Sequence, residues 1–203
     1  MRATSLKPLV VVAALGPLAY LAWGAASNGL GANPIETITR ETGTWTLRFL
    51  VITLAVTPLR RLTGWNDAIR FRRMLGLFAF FYGTLHLLTY VWLDQFFDLA
   101  SIVKDIAKRP FITAGATAFL LMVPLAVTST AGMIRRMGGR AWRRLHRLAY
   151  ASAVVGVLHY WWLVKLDIRR PRTYAVIVAV LLGVRLLGFL RPRLARRFGT
   201  QST

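Results

Sequence analysis

Three histidines, His86, His146 and His159, are the residues of this chain whose type and placement could do chemistry. His86 stands inside "FFYGTLHLLTYVWL", and the other two fall in "LHRLAYASAVVGVLHYWWL", from Leu145 to Leu163. No Asp, Glu or Lys lies near the middle of any apolar run, and Arg48 and Arg185 sit close to the ends of theirs, where long side chains reach an interface. Ion carriers and proton pumps place ionisable groups at depth in the bilayer. Here imidazole is nearly all that the apolar interior offers. A low-dielectric site favours the neutral imidazole, which is also the form that ligates a metal. Cysteine is absent, which excludes disulfides, thiolate zinc, iron–sulfur clusters and thioether haem attachment.

The elements that must carry these histidines are membrane helices. Of the 203 residues, 56% are hydrophobic and 17% charged, with a mean hydropathy of +0.50, whereas a soluble domain carries about 25% charge. The apolar residues form blocks, each comparable to the roughly 20 residues a helix needs to cross a bilayer. Six are read, at about Pro8–Ala26, Thr44–Leu59, Met74–Leu93, Phe111–Ser129, Leu145–Val164 and Thr173–Leu190. The predicted fold is an all-α integral membrane protein, a six-transmembrane-helix bundle in which residues 1–203 form one domain.

A net charge of +20 in a soluble protein points to nucleic acid; here its placement points to membrane topology and lipid instead. Arg60, Arg61, Arg70, Arg72 and Arg73 follow the second block, Arg135, Arg136, Arg140, Arg143 and Arg144 the fourth, and Arg191, Arg193, Arg196 and Arg197 the sixth. With Arg2 and Lys7 they mark the cytoplasmic side and place both termini there. Lys165, Arg169, Arg170 and Arg172 fall on the outer side and run against the bias. The N-terminal block, ending in "WGAAS", also reads as a signal peptide with a small-residue cleavage site, but is long for one.

Depth relates two of the histidines. His86 lies 13 residues beyond Arg73 and His159 lies 14 beyond Leu145, at the inner ends of the third and fifth blocks. At a rise of about 1.5 Å per residue both sit about 20 Å from the inner face, on helices running the same way. Gly76, Ala79 and Gly83 line the face of His86, and Ala149, Ser152 and Gly156 that of His159. Two small-residue faces ending in imidazole leave room for a flat macrocycle whose iron takes one ligand from each side. The competing reading is plain helix packing, for which small residues and a hydrogen-bonded histidine are common. His146 lies 13 residues before His159, which turns it about 140° away on an ideal helix. Its candidate roles are a ligand to a second haem near the cytoplasm, a quinone or flavin contact, or an interface histidine.

Two loops carry their own patterns. In "DQFFDLASIVKDIAKRP" (Asp94–Pro110), Leu99, Ile102, Val103 and Ile106 recur at helical spacing, Asp98 can cap the start and Pro110 stop the end. This predicts a short amphipathic helix on the outer membrane surface. The inner loop Thr128–Leu148 is strongly basic, with Gly138-Gly139 as a break, and suits lipid headgroups or the carboxylates of a cofactor.

His86, the block "TSTAGMIRRMGGRAWRRLHRLAY" and "GVLHYWW" together resemble the MsrQ (YedZ) family of ferric-reductase-like transmembrane proteins, over nearly the whole chain. The resemblance implies a bacterial inner-membrane protein that binds b-type haem, one or two, and FMN. It implies electron transfer from the quinone pool, or from a cytoplasmic flavin reductase, to a periplasmic molybdopterin-containing methionine-sulfoxide reductase, MsrP, that repairs oxidised proteins. By position, His86 and His159 match the family's haem-iron ligands and His146 its third histidine; the fourth histidine of larger oxidase relatives is missing. No residue is assigned to FMN. The function expected is an electron-transfer subunit that performs no sulfoxide reduction itself. Its rivals are a stand-alone ferric-type reductase, for which no NAD- or flavin-binding domain is attached, and a haem-free scaffold or carrier.

Overall fold

The computed structural model describes residues 3–198. Arg2 lies outside the described residues, as do the side chains of Arg191, Arg193, Arg196 and Arg197. The described chain is all-helical: α1 (Ala3–Ala26), α2 (Pro34–Thr63), α3 (Arg72–Leu88), α4 (Leu99–Lys108), α5 (Pro110–Val127), α6 (Ala131–Met137), α7 (Gly139–Leu145), α8 (Leu148–Leu163) and α9 (Arg169–Phe198). A 3-10 turn, Asn66–Arg70, precedes α3, and a π-helical turn, Thr89–Asp94, continues it.

Among the described residues five stretches are long and apolar enough to cross a membrane: Leu6–Ala26, Pro34–Thr63, Arg72–Asp94, Pro110–Val127 and Arg169–Gly188. The fifth block of the sequence pattern, Leu145–Val164, contributes a helix of only 16 residues. The chain turns at His146 and Arg147 before α8 begins, so the first turn expected of that span belongs to the connection. At about 1.5 Å per residue α8 is about 24 Å long, against a hydrocarbon core of about 30 Å.

The second span differs in the other direction. α2 starts ten residues before the apolar block, because Asn33 caps it by accepting from the Glu36 amide, Pro34 occupies its first turn, and Glu36 pairs with Arg40 at 2.6 Å. Local capping thus extends the helix through a polar segment that hydropathy alone leaves out. α4 forms as expected, with the Asp98 carboxylate accepting from the Ala100 and Ser101 amides, while Leu99, Val103 and Ile106 point away from the protein.

The core is two antiparallel helix pairs, α2 along α3 and α5 along α8, joined where α3 meets α5 and α2 meets α8, with α9 closing over α2 and α8. Phe49, Ala79, Tyr82 and Met122 lie in one buried cluster; Leu47, Leu54, Ala153, Val157 and Val178 form another. The Ser152 hydroxyl, fully buried, donates to the Ala118 carbonyl and ties α8 to α5. Tyr82 reaches α1 beside Pro17, where its hydroxyl donates to the Ala14 carbonyl at 2.8 Å and accepts from the Leu18 amide at 3.2 Å.

Candidate metal centre

His86 and His159 come together. The last turns of α3 and α8 bring their imidazoles to 6.0 Å between ring centres, with the planes 70° apart. Each ring is held by a backbone carbonyl of the helix paired with its own. His86 Nδ1 donates to Thr39 O of α2 at 2.9 Å, and His159 Nδ1 donates to Phe111 O of α5 at 2.6 Å. A carbonyl can only accept, so both bonds require the proton on Nδ1. Nε2 of each neutral ring then keeps its lone pair, the arrangement by which a second-shell acceptor prepares a histidine for a metal.

The spacing suits one metal between them. With metal–nitrogen bonds of about 2 Å, and ring centres about 1 Å beyond the nitrogens, two imidazoles opposed across one ion have centres about 6 Å apart. Among the described residues no group of three or more His, Cys, Asp or Glu side chains could hold a bare ion. Two ligands alone make a poor ion site; two axial ligands are what a porphyrin iron asks of a protein. The donor set therefore fits haem.

Sequence reasoning identified the pair and missed what seats it. Gly43 lies one turn past Thr39, and Gly115 one turn past Phe111. A Cβ at Gly43 would stand 3.0 Å from Cε1 and 3.1 Å from Nδ1 of His86; at Gly115 it would stand 2.8 Å from Nδ1 and 2.9 Å from Cε1 of His159. Thr39 and Gly43 precede the apolar block from which the second span was read, so hydropathy gave no reason to consider them. A glycine one turn after the start of an apolar helix, as at Gly115, was a visible signal with no stated partner.

The small-residue faces serve packing more than open space. Ala79 is fully buried. A Cβ at Gly83 would meet Met122 Cε at 3.0 Å and Thr46 Cγ2 at 3.4 Å; one at Gly156 would meet Leu47 Cδ1 at 3.8 Å. The room expected between the two faces is partly taken by these side chains, Met122 among them, whose unbranched thioether repacks readily.

His146 is not brought to the pair. It follows α7, before the opposite end of α8 from His159, with its ring stacked on Trp142 at 3.7 Å between centres. The Thr128 hydroxyl donates to Pro124 O at 2.6 Å, so its contact of 3.1 Å with His146 Nε2 has the imidazole N–H as donor. Trp142 Nε1 donates to Thr128 O and closes the cluster. Burial first, and the nearby charge of Arg72 second, hold this imidazole below its ordinary pKa. The nitrogen that most often takes iron is committed to Thr128.

Residues 42–157 match the family described as the ferric reductase like transmembrane component. Three relatives are each named "Protein-methionine-sulfoxide reductase heme-binding subunit MsrQ". That of Herminiimonas arsenicoxydans is 56% identical over 185 residues, covering 90% of this chain and 85% of its own. That of Azospira oryzae is 54% identical over 98% of this chain and 85% of its own. That of Ralstonia nicotianae is 59% identical over 85% of this chain and 81% of its own. No solved structure matches the chain.

Proposed function

This chain belongs to the ferric-reductase-like transmembrane family, as a member of its MsrQ branch, and from that premise we propose that it is the haem b-holding, electron-carrying membrane subunit of a methionine-sulfoxide reductase system. It is a multi-pass protein of the bacterial inner membrane. In this reading the single domain of residues 1–203 makes six crossings, α8 included, with both termini in the cytoplasm. Electrons enter from the quinone pool or a cytoplasmic flavin reductase. They leave to a periplasmic molybdopterin-containing reductase of the MsrP type, where the sulfoxide chemistry takes place. FMN, which the family resemblance implies, is assigned no residue.

The observation that carries the reading is the His86–His159 pair, two imidazoles 6.0 Å apart with Nδ1 of each occupied by a carbonyl. Haem b, when bound, supplies a one-electron carrier that the side chains lack. The residues do the remaining work. His86 and His159 would hold the haem iron through Nε2, Thr39 O and Phe111 O would hold the rings to that task, and the apolar helices would exclude water. We assign one haem to this pair. For His146 to ligate a second, Nε2 must first leave Thr128.

The test is the absorption spectrum of the purified, dithionite-reduced protein. A low-spin b-type spectrum is expected, lost in His86→Ala and in His159→Ala while both variants still insert in the membrane. An unchanged spectrum in both rules out the ligand assignment, and no haem in the wild type leaves a scaffold or carrier. Reduction by a quinol analogue, followed by reoxidation on adding the cognate molybdenum reductase, tests the route. Failure of the second step points to a stand-alone reductase.

A further inference from the structure

We propose that Gly43 and Gly115 are positioning residues, a matched pair of seats. Each leaves bare the one helix position that would otherwise cover a backbone carbonyl, and so lets that carbonyl fix an imidazole in its Nδ1–H tautomer and at a set ring angle. This deepens the haem reading and rests on it only for the consequences at the iron.

Inside an α-helix a carbonyl at position i already accepts from the amide at i+4, and a second donor must come in from the side. The Cα–Cβ bond tilts toward the helix N-terminus, so the side chain at i+4 hangs over the turn that carries this carbonyl. At Thr39 and Phe111 the residue at i+4 is glycine, and in both places an imidazole fills the space. An added Cβ would come within 3.0–3.4 Å of three atoms of the His86 ring, and within 2.8 and 2.9 Å of two atoms of His159. Neither ring is a loose end that could swing aside, because its Nδ1 is bonded to the carbonyl underneath.

The two seats are built independently, one on α2 and one on α5, yet they repeat the same spacing. The histidine follows its carbonyl by 47 residues in the first and by 48 in the second. Not every helix glycine has such a use: a Cβ at Gly183 would meet nothing within 4 Å. Glycine is also a poorer helix former than alanine. A glycine kept only for packing should cost stability when replaced and leave tautomers alone. A seat should show the reverse, with the helix as stable or more so and the imidazole displaced.

The experiment uses the full chain in detergent or nanodiscs, as wild type, Gly43→Ala, Gly115→Ala and the control Gly183→Ala. Imidazole nitrogen-15 NMR of the haem-free protein should report Nδ1–H at both His86 and His159 in the wild type. Gly43→Ala should shift His86 toward the Nε2–H form and leave His159 unchanged; Gly115→Ala should do the opposite. In the haem-loaded protein each alanine should alter the low-spin electron paramagnetic signal and weaken haem retention roughly 10–100-fold, the range seen when metal-binding histidines lose an outer partner. Gly183→Ala should match the wild type in all three. An Nε2–H tautomer at either histidine of the wild type overturns the seats with no variant needed, as do alanine variants with unchanged nitrogen shifts and low-spin signal. A wild type that loads no haem removes the haem reading alone, since the haem-free spectra still decide the seats.

Discussion

At the scale of single residues, the chain separates its histidines by which nitrogen the fold occupies. His86 and His159 spend Nδ1 on carbonyls, whereas His146 spends Nε2 on a threonine hydroxyl. His146→Ala should therefore leave the low-spin haem of the other two and the haem content per protein unchanged, and a fall to about half the haem per protein would show that it ligates a second one. Its titration is predictable in sign. Burial and Arg72 disfavour the imidazolium, so the folded pKa lies below the ordinary value of about 6.5. The unfolded chain then binds the proton more readily as pH falls. The stabilising contribution is complete above that value and declines as pH drops below it toward the folded pKa. Trp142 supplies the readout, because imidazolium stacked on indole quenches its fluorescence. The difference in emission between wild type and Trp142→Phe should show a quenching midpoint below 6.5, and a midpoint at or above it would contradict the assigned environment.

Among the elements, two hydroxyls hold helices together, and they should not weigh the same. Tyr82 enters the ladder of α1 beside Pro17, where it both donates to Ala14 O and accepts from the Leu18 amide. Pro17 has no N–H to give to the carbonyl four residues back, and the Tyr82 hydroxyl bridges the next rung, between Ala14 O and the Leu18 amide. Tyr82→Phe removes two hydrogen bonds between α3 and α1 at once, so a loss of about 1–2 kcal/mol is expected. Ser152 only adds a bond to a carbonyl that already has its own helical partner. Ser152→Ala should cost about 0.6 kcal/mol, the average for hydrogen bonds between membrane helices. Reversible unfolding in mixed detergent measures both, and an equal or inverted order would remove the role given to Tyr82. Gly138, at φ 74° and ψ 146°, separates α6 from α7 in a region that side chains avoid. Alanine there should cost about 1–3 kcal/mol through backbone strain.

For the whole molecule α8 decides the topology: length and apolarity give five crossings among the described residues, and α8 makes the sixth in the proposed arrangement. Since the chain has no cysteine, single cysteines report topology without background. Lys104→Cys on α4 and Asp167→Cys between α8 and α9 should react with an impermeant maleimide added outside intact spheroplasts. Gly139→Cys should react only after permeabilisation. Protection of Asp167→Cys would mean that α8 does not cross. The last helix is docked through Arg185, whose guanidinium donates to Leu54 O of α2 and lies 5.2 Å above the Tyr150 ring of α8. An arginine near the end of an apolar block thus serves as a fastener rather than simply reaching for the interface.

Composition and spacing alone determined the membrane class, the all-helical bundle, the cap at Asp98 and the nearness of His86 to His159, because hydropathy and helical rise are local and periodic. The count of crossings was less legible, since the break at His146 and Arg147 shortens α8 through a turn that no run of apolar residues reveals. Tertiary structure alone decided which nitrogen of each imidazole is engaged and what presses on the rings of His86 and His159. Thr39 O and Phe111 O belong to other helices, and a backbone carbonyl has no letter in the sequence. Gly43 and Gly115 acquire meaning only when α3 and α8 lie against them, because a missing Cβ matters solely through what occupies its place.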